Sequence, residues 1–429
     1  MRGKKLVDDV MSHLILTLVG VFSQILIAPL YIRDFGQQGY SRLSIILSVC
    51  AFVLVSDYGI YLTASSRLIH VYRNHSYFSR SIWQQYARSI AIAFAATTPI
   101  LLLYFLHLTK TNPSLWRNFE FAWTILILFM GSAAMSLVQH ALLIKFQVTD
   151  KFGLGLKVLA FLRLMEIAIQ GMSLYFKMEF VSFAIVTSIC RVISTVIFWS
   201  LSHRSLGISA SDPIISVDDE DSSLIKGSVG KAVFNFTNLL GLHGTMLIAS
   251  LWITPQLLFP ILIARMITSP VRYLSDSLIN GGLPRLTIYF RKRNESTLTV
   301  KGSSIRFNIA LAVSGTFAFI CTITLITAPF LWRYLSFGNS QYPQTLILVF
   351  LCSTYLDSIS AVVAMLGIAK NQANAIQYAY LSSVVLALGV QYWLRNIWGG
   401  YSVPISLAIG DLIFLLFTVG GLVRNRAAK

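Results

Sequence analysis

Runs of about 20 apolar residues recur twelve times along this chain, and a run of that length fits one fate best, a helix crossing a bilayer. The runs fall at about 11–33, 40–64, 86–108, 119–142, 153–175, 180–201, 229–251, 256–283, 305–327, 344–366, 373–393 and 402–423. Hydrocarbon offers the main chain no water, so each crossing segment must close its own hydrogen bonds as a helix. Charged residues make up only 12% of the sequence and hydrophobic residues 55%, whereas a soluble domain carries about 25% charge. The expected fold class is an all-α integral membrane protein with about twelve transmembrane helices. A polar connection at 202–228, holding Asp218, Asp219, Glu220 and Asp221, divides it into two six-helix lobes, residues 1–201 and 229–429. The first run continues into Pro29-Leu30-Tyr31 with no small-residue cleavage site, so no removable signal peptide is expected.

The sequence carries 34 Lys and Arg and a formal net charge of +17. With the N-terminus placed in the cytoplasm, alternate connections and tails divide these residues as 23 cytoplasmic, 7 on the far side and 4 inside helices. That bias follows the positive-inside rule. It places both termini in the cytoplasm and accounts for most of the basicity, so no nucleic-acid partner is expected; membrane lipids are. The connection 65–88 mixes Arg67, Arg73, Arg80 and Arg88 with Tyr72, Tyr77, Phe78, Trp83 and Tyr86, a pattern expected to rest on anionic headgroups. Trp332, Trp393 and Trp398, near span ends, are expected as interfacial anchors.

Against this apolar background the four intramembrane arginines stand out. A charged side chain at mid-bilayer costs about 2.5–3.5 kcal/mol on insertion scales. The segment 261–286 nevertheless carries Arg265, Arg272 and Asp276. Seven residues place both arginines on one helix face, about 10 Å apart along the axis. Asp276 follows Arg272 by four residues and is within its reach. Pro270, between the arginines, favours a kink. In 153–175, Arg163, Glu166, Gln170 and Ser173 form a polar stripe, with Arg163 and Glu166 spaced to pair. In 180–201, Thr187, Arg191 and Ser194 repeat it more sparsely. Arg163, Arg191 and Arg265 each lie about ten residues into their spans, which points to a cationic cavity for an anionic ligand. Mutual salt bridging is the competing account. The substrate-binding candidates are Arg265, Arg272, Arg163 and Arg191. The intramembrane acids Glu166, Asp57, Asp276 and Asp357 are candidates for ion coupling, and Asp411 is a further acid in the last span.

The first two spans contain Pro29-Leu30-Tyr31-Ile32-Arg33-Asp34-Phe35-Gly36, then Gly39-Tyr40 and Asp57-Tyr58-Gly59. Over about the first 70 residues this text resembles the P-x-x-x-R-x-x-G…Y-G and D-x-G patterns of the Wzx-type polysaccharide (O-antigen) flippases. Those proteins form the polysaccharide-transporter branch of the superfamily that also holds the MATE exporters and lipid II flippases. The resemblance implies a MATE-like architecture in the bacterial inner membrane. It also implies alternating access, proton-coupled exchange and an undecaprenyl-pyrophosphate-linked oligosaccharide as substrate, for O-antigen or a related surface polysaccharide, with other polysaccharide-assembly proteins as candidate partners. On the residues alone, Pro29 and Gly36 are expected to shape a helix exit and turn.

Other chemistry is poorly supplied. Cys50, Cys190, Cys321 and Cys352 sit singly in separate spans, and His-Glu-x-x-His spacing is absent, so no metal or cofactor is expected. The stretch 227–232 lacks the Gly-x4-Gly-Lys-Ser/Thr spacing of a phosphate loop, because 225 is Ile and 232 is Ala; no ATP-driven step is expected. Two alternatives stand beside the flippase. A MATE-like cation or drug antiporter would share the architecture but favour an acid-dominated cavity. A membrane glycan polymerase or ligase would need a large external loop, whereas the longest here is around 328–343.

Overall fold

The computed structural model describes residues 2–54, 61, 64–65, 67–69, 71–72, 80–116, 122–149, 151–206, 236–237, 239–292, 301–338, 341–368 and 373–427. Among these residues every regular element is helical. The long helices are α1 (Arg2–Ala51), α2 (Arg80–Thr111), α3 (Ala122–Val148), α4 (Phe152–Tyr175) and α5 (Phe180–Leu206). A π turn (Leu240–Gly244) leads into the short α6 (Thr245–Ser250). Then come α7 (Pro255–Lys292), α8 (Lys301–Leu335), α9 (Gln344–Ile368), α10 (Ala373–Trp398) and α11 (Ser402–Ala427). Eight described stretches are long and apolar enough to cross a membrane. Two of them, Met11–Leu54 and Ile376–Thr418, each overlap two of the expected spans. The polar-striped α4 is not among these eight, and the expected span at 229–251 is described only at 236–237 and from 239 onward. The chain is a multi-pass membrane protein.

The break inside α1 falls at Gly36, whose φ of 71° and ψ of 175° suit only a residue without Cβ. Around it, Tyr31 is buried against the Phe35 ring at 4.7 Å, and Arg33 Nε pairs with Asp34 Oδ1 at 2.7 Å. The first part of the Pro-to-Gly text is therefore a local bend fixed by its own side chains. Asp57, Tyr58 and Gly59 lie outside the described residues.

The chain clusters into two compact units, one of Met1–Ser41 with Ile253–Lys429, the other of Arg42–Trp252. This grouping differs from a cut at 202–228, a connection that lies almost wholly outside the described residues. The first span groups with the second half of the chain, and the seventh groups with the first half. Contacts within each unit account for this. In the unit 42–252, the Tyr104 hydroxyl donates to Leu247 O at 3.0 Å, and Asn112 Nδ2 donates to Ser250 O at 3.0 Å, tying α6 to α2. In the other unit, Gln24 of α1 bonds Tyr273 of α7.

Within the unit 42–252, α3, α4 and α5 pack together. Phe146 stacks on Phe198 at 5.3 Å, and Gln139 Nε2 donates to Thr195 Oγ1 at 3.1 Å. The start of α2 departs from expectation. Ile82 and Tyr86 are buried with Ile144 and Val148, and Lys145 Nζ lies 5.2 Å from the Trp83 ring centroid. These aromatics face protein because Ile82 and Tyr86, four residues apart, present one apolar helix face.

In the unit of 1–41 and 253–429, α9 packs on α7, α8 and α11, and α11 packs on α10. At Gly410 the helices approach so closely that a Cβ would stand 2.9 Å from Ala387 Cβ and 3.1 Å from Ser383 O. Trp332 is buried, its ring 6.4 Å from that of Tyr342, and so is a core residue rather than an anchor. Trp393 and Trp398 are exposed, in keeping with the anchoring role.

Candidate functional site

In the unit 42–252 two intramembrane arginines converge on one carboxylate. Glu166 of α4 is buried, and its Oε2 meets Arg163 Nη1 at 3.1 Å and Arg191 Nη2 at 2.8 Å. The first contact is within one helix, three residues apart; the second joins α4 to α5. Arg191 Nη1 also donates to Ser136 Oγ of α3 at 2.6 Å, so three helices meet at this guanidinium. Arg191 Nε is buried with no hydrogen-bond partner among the described residues. Two cations on one anion leave the cluster with one positive charge in excess.

The other unit holds a second cluster along α7. Arg265, Ser269, Arg272 and Tyr273 follow the i, i+4, i+7, i+8 spacing of one helix face. The helix runs unbroken through Pro270. Proline supplies no N–H to the carbonyl four residues earlier. Ser269 Oγ donates to that carbonyl, Met266 O, at 2.9 Å, which offsets the loss. Arg272 Nη1 pairs with Asp357 Oδ2 of α9 at 3.4 Å. Behind it lies Asp411 of α11, buried, with its Oδ2 accepting from Ser353 Oγ at 3.0 Å. Asp411, Asp357 and Arg272 are within electrostatic range of one another.

Arg265 is different. It is half-buried, and its guanidinium makes no salt bridge with any acid among the described residues. Its electrostatic neighbours are the phenols of Tyr273 and Tyr40 and the like-charged Arg272. A guanidinium held in an apolar span without an acid is the arrangement that favours an anionic ligand.

The structure thus distributes the sequence candidates between two clusters. Arg163, Glu166 and Arg191 meet in one unit; Arg265, Arg272 and Asp357 meet in the other. Arg272 pairs across helices with Asp357, where the sequence pointed to Asp276; the Asp276 side chain lies outside the described residues, as does Asp57. Sequence reasoning missed Arg191 as a second partner of Glu166. It also missed the bond of Asp411 to Ser353 and the presence of Gln24, Tyr40 and Tyr273 beside the arginine face. For Gln24 the available signal was a single amide in an otherwise apolar run.

Solved structures resemble this chain over nearly its whole length. The eukaryotic MATE transporter AtDTX14 aligns with a TM-score of 0.69 at 12% identity, over 98% of this chain and 95% of that one. The MATE multidrug transporter DinF-BH gives 0.64 at 14% identity over 99% and 96%. A multidrug resistance MATE family transporter of the MOP superfamily, in its outward-facing conformation, gives 0.62 at 14% over 99% and 96%. At such identities the similarity establishes the fold, an all-α membrane architecture of the MATE type. No protein-family model and no curated protein matches the sequence.

Proposed function

We propose that the protein is a flippase that carries an undecaprenyl-pyrophosphate-linked oligosaccharide across the bacterial inner membrane by alternating access between two lobes, coupled to protons. The observation that carries this reading is Arg265, a guanidinium inside a membrane span with no described acid to neutralise it. A pyrophosphate supplies the missing charge, and guanidinium and phosphate make charge-assisted, often bidentate bonds. The surplus positive charge on Arg163, Glu166 and Arg191 favours the same class of substrate. The polyprenyl tail would stay in the lipid while the headgroup crosses. The MATE fold supports a transporter in preference to a polymerase or ligase.

A second reading rests on a specific observation, two acids near Arg272: Asp357 pairs with it, and Asp411 lies within its electrostatic range. An organic-cation antiporter would use such an acid-rich corner, and the similar solved structures include multidrug transporters. Proteoliposomes separate the two readings. Purified protein is expected to move a fluorescent lipid-linked oligosaccharide between leaflets under an inward proton gradient and to leave fluorescent organic cations where they are. Cation movement without lipid translocation would reverse the assignment.

The proposed orientation, with both termini and the 202–228 connection cytoplasmic, rests on the 23-to-7 basic bias. Single cysteines placed at 212 and 429, in a background lacking the four native cysteines, are expected to resist impermeant maleimide in intact cells. Labelling of either from outside defeats the orientation.

A further inference from the structure

Gln24 is an amide in the first apolar span, and its hydrogen bonds lead to the arginine face of α7. Its Nε2 donates to Tyr273 Oη at 2.8 Å, and its Oε1 lies 3.5 Å from Ser269 Oγ, at the outer limit of a hydrogen bond. Tyr273 in turn lies within electrostatic range of Arg265. Tyr40, the other phenol near that guanidinium, points its hydroxyl at Met266 Sδ, 3.6 Å away. Arg265 therefore sits among neutral polar groups that are themselves held in place, with the like-charged Arg272 as its described ionic neighbour.

An arginine alone recognises any phosphate. A phenol gripped by an amide adds a neutral, oriented hydrogen-bonding group beside it, and fixed neutral groups of this kind discriminate among hydroxyl-bearing ligands. We infer that Gln24 and Tyr273 form the specificity-determining pair of the Arg265 site. Tyr273 contacts the sugar hydroxyls adjoining the phosphate, and Gln24 acts through it as a positioning residue. This rests on the reading of Arg265 as a pyrophosphate site and extends it to the sugar. The plainer account is a strap: a polar bond between helices that holds α1 to α7 and ignores the ligand.

Two probes separate these roles, a short-chain polyprenyl pyrophosphate and the same molecule bearing a disaccharide, each titrated against the full-length protein in phosphatidylcholine nanodiscs. Wild type is expected to prefer the sugar-bearing probe. Tyr273→Phe removes one hydroxyl and is expected to weaken that probe by about tenfold while changing the bare pyrophosphate by less than about twofold. Gln24→Leu should shift the preference the same way, and the double variant should be no worse than Tyr273→Phe alone, because the amide acts through the phenol. Arg265→Ala should lose both probes. Equal weakening of both probes by Tyr273→Phe, or no weakening, overturns the inference and leaves a strap. Absence of any sugar preference in wild type also overturns it, with the pyrophosphate reading intact. Failure of wild type to bind either probe removes both. Should Gln24→Leu not fold, Tyr273→Phe decides alone.

Discussion

Arg265→Ala is expected to reduce translocation of the lipid-linked oligosaccharide by about a hundredfold, while the purified variant stays as stable as wild type or gains stability. Both halves of that result follow from the same observation. Two charge-assisted hydrogen bonds to phosphate, each worth about 1.5–3 kcal/mol, correspond to at least two orders of magnitude in an equilibrium. On the folding side, no described acid compensates the guanidinium, and its insertion costs about 2.5–3.5 kcal/mol at mid-span. Removing it relieves that cost and strands no acid among the described residues. A charge that costs the fold stability while its loss stops transport has its role in function. Arg265→Lys should restore only part of the rate, since an ammonium keeps the charge and loses the planar fork. Initial flipping rates at matched protein-to-lipid ratio, with detergent melting curves alongside, read both effects. A variant that loses several kcal/mol of stability would show that Arg265 serves the fold instead. Arg272→Ala would give that structural pattern, because it leaves Asp357 unpaired beside Asp411.

The contrast between these two arginines marks the limit of what the sequence could show. The membrane class, the helical architecture and the basic face of the Arg265 span were legible, because apolar runs and helical spacing are local properties. The bond of Arg163 to Glu166 was legible for the same reason, being three residues long. Arg191 reaching the same carboxylate, and Arg272 reaching Asp357, depend on which helices pack side by side, and spacing within one helix carries no such information. Asp276 was the natural local partner for Arg272, whereas the described bond crosses to α9. Gln24 had no periodic pattern to mark it, and its importance comes from α1 lying against α7. Trp332 failed as an anchor for a similar reason. Position near a span end does not reveal which side of the helix faces protein.

Glu166→Gln provides the second large effect, and the geometry changes what it should do. On sequence alone, Glu166 pairs with one arginine, and neutralising it is expected to remove proton coupling while sparing the fold. In the structure a single oxygen, Oε2, accepts from both Arg163 and Arg191. The amide keeps the shape and removes the only described charge holding two guanidiniums together. Unit charges about 4 Å apart at an effective dielectric near 20 interact by about 4 kcal/mol. Two guanidiniums that share one oxygen therefore repel on the scale of a few kcal/mol once its charge is gone. Breaking a buried ion pair by deleting one partner costs about 3–5 kcal/mol. The single variant is therefore expected to lose stability on that scale, visible as a lower melting temperature and reduced membrane abundance. Adding Arg163→Gln removes one of the stranded cations and should recover most of the loss, leaving Arg191 anchored to Ser136. A Glu166→Gln protein as stable as wild type would show that the shared oxygen contributes little to the fold. The double variant, once abundant, then tests coupling free of the folding defect. If Glu166 carries the proton, flipping should continue slowly and no longer respond to the pH gradient. Full gradient dependence in the double variant would take Glu166 out of the coupling step and leave it as the bolt between α4 and α5.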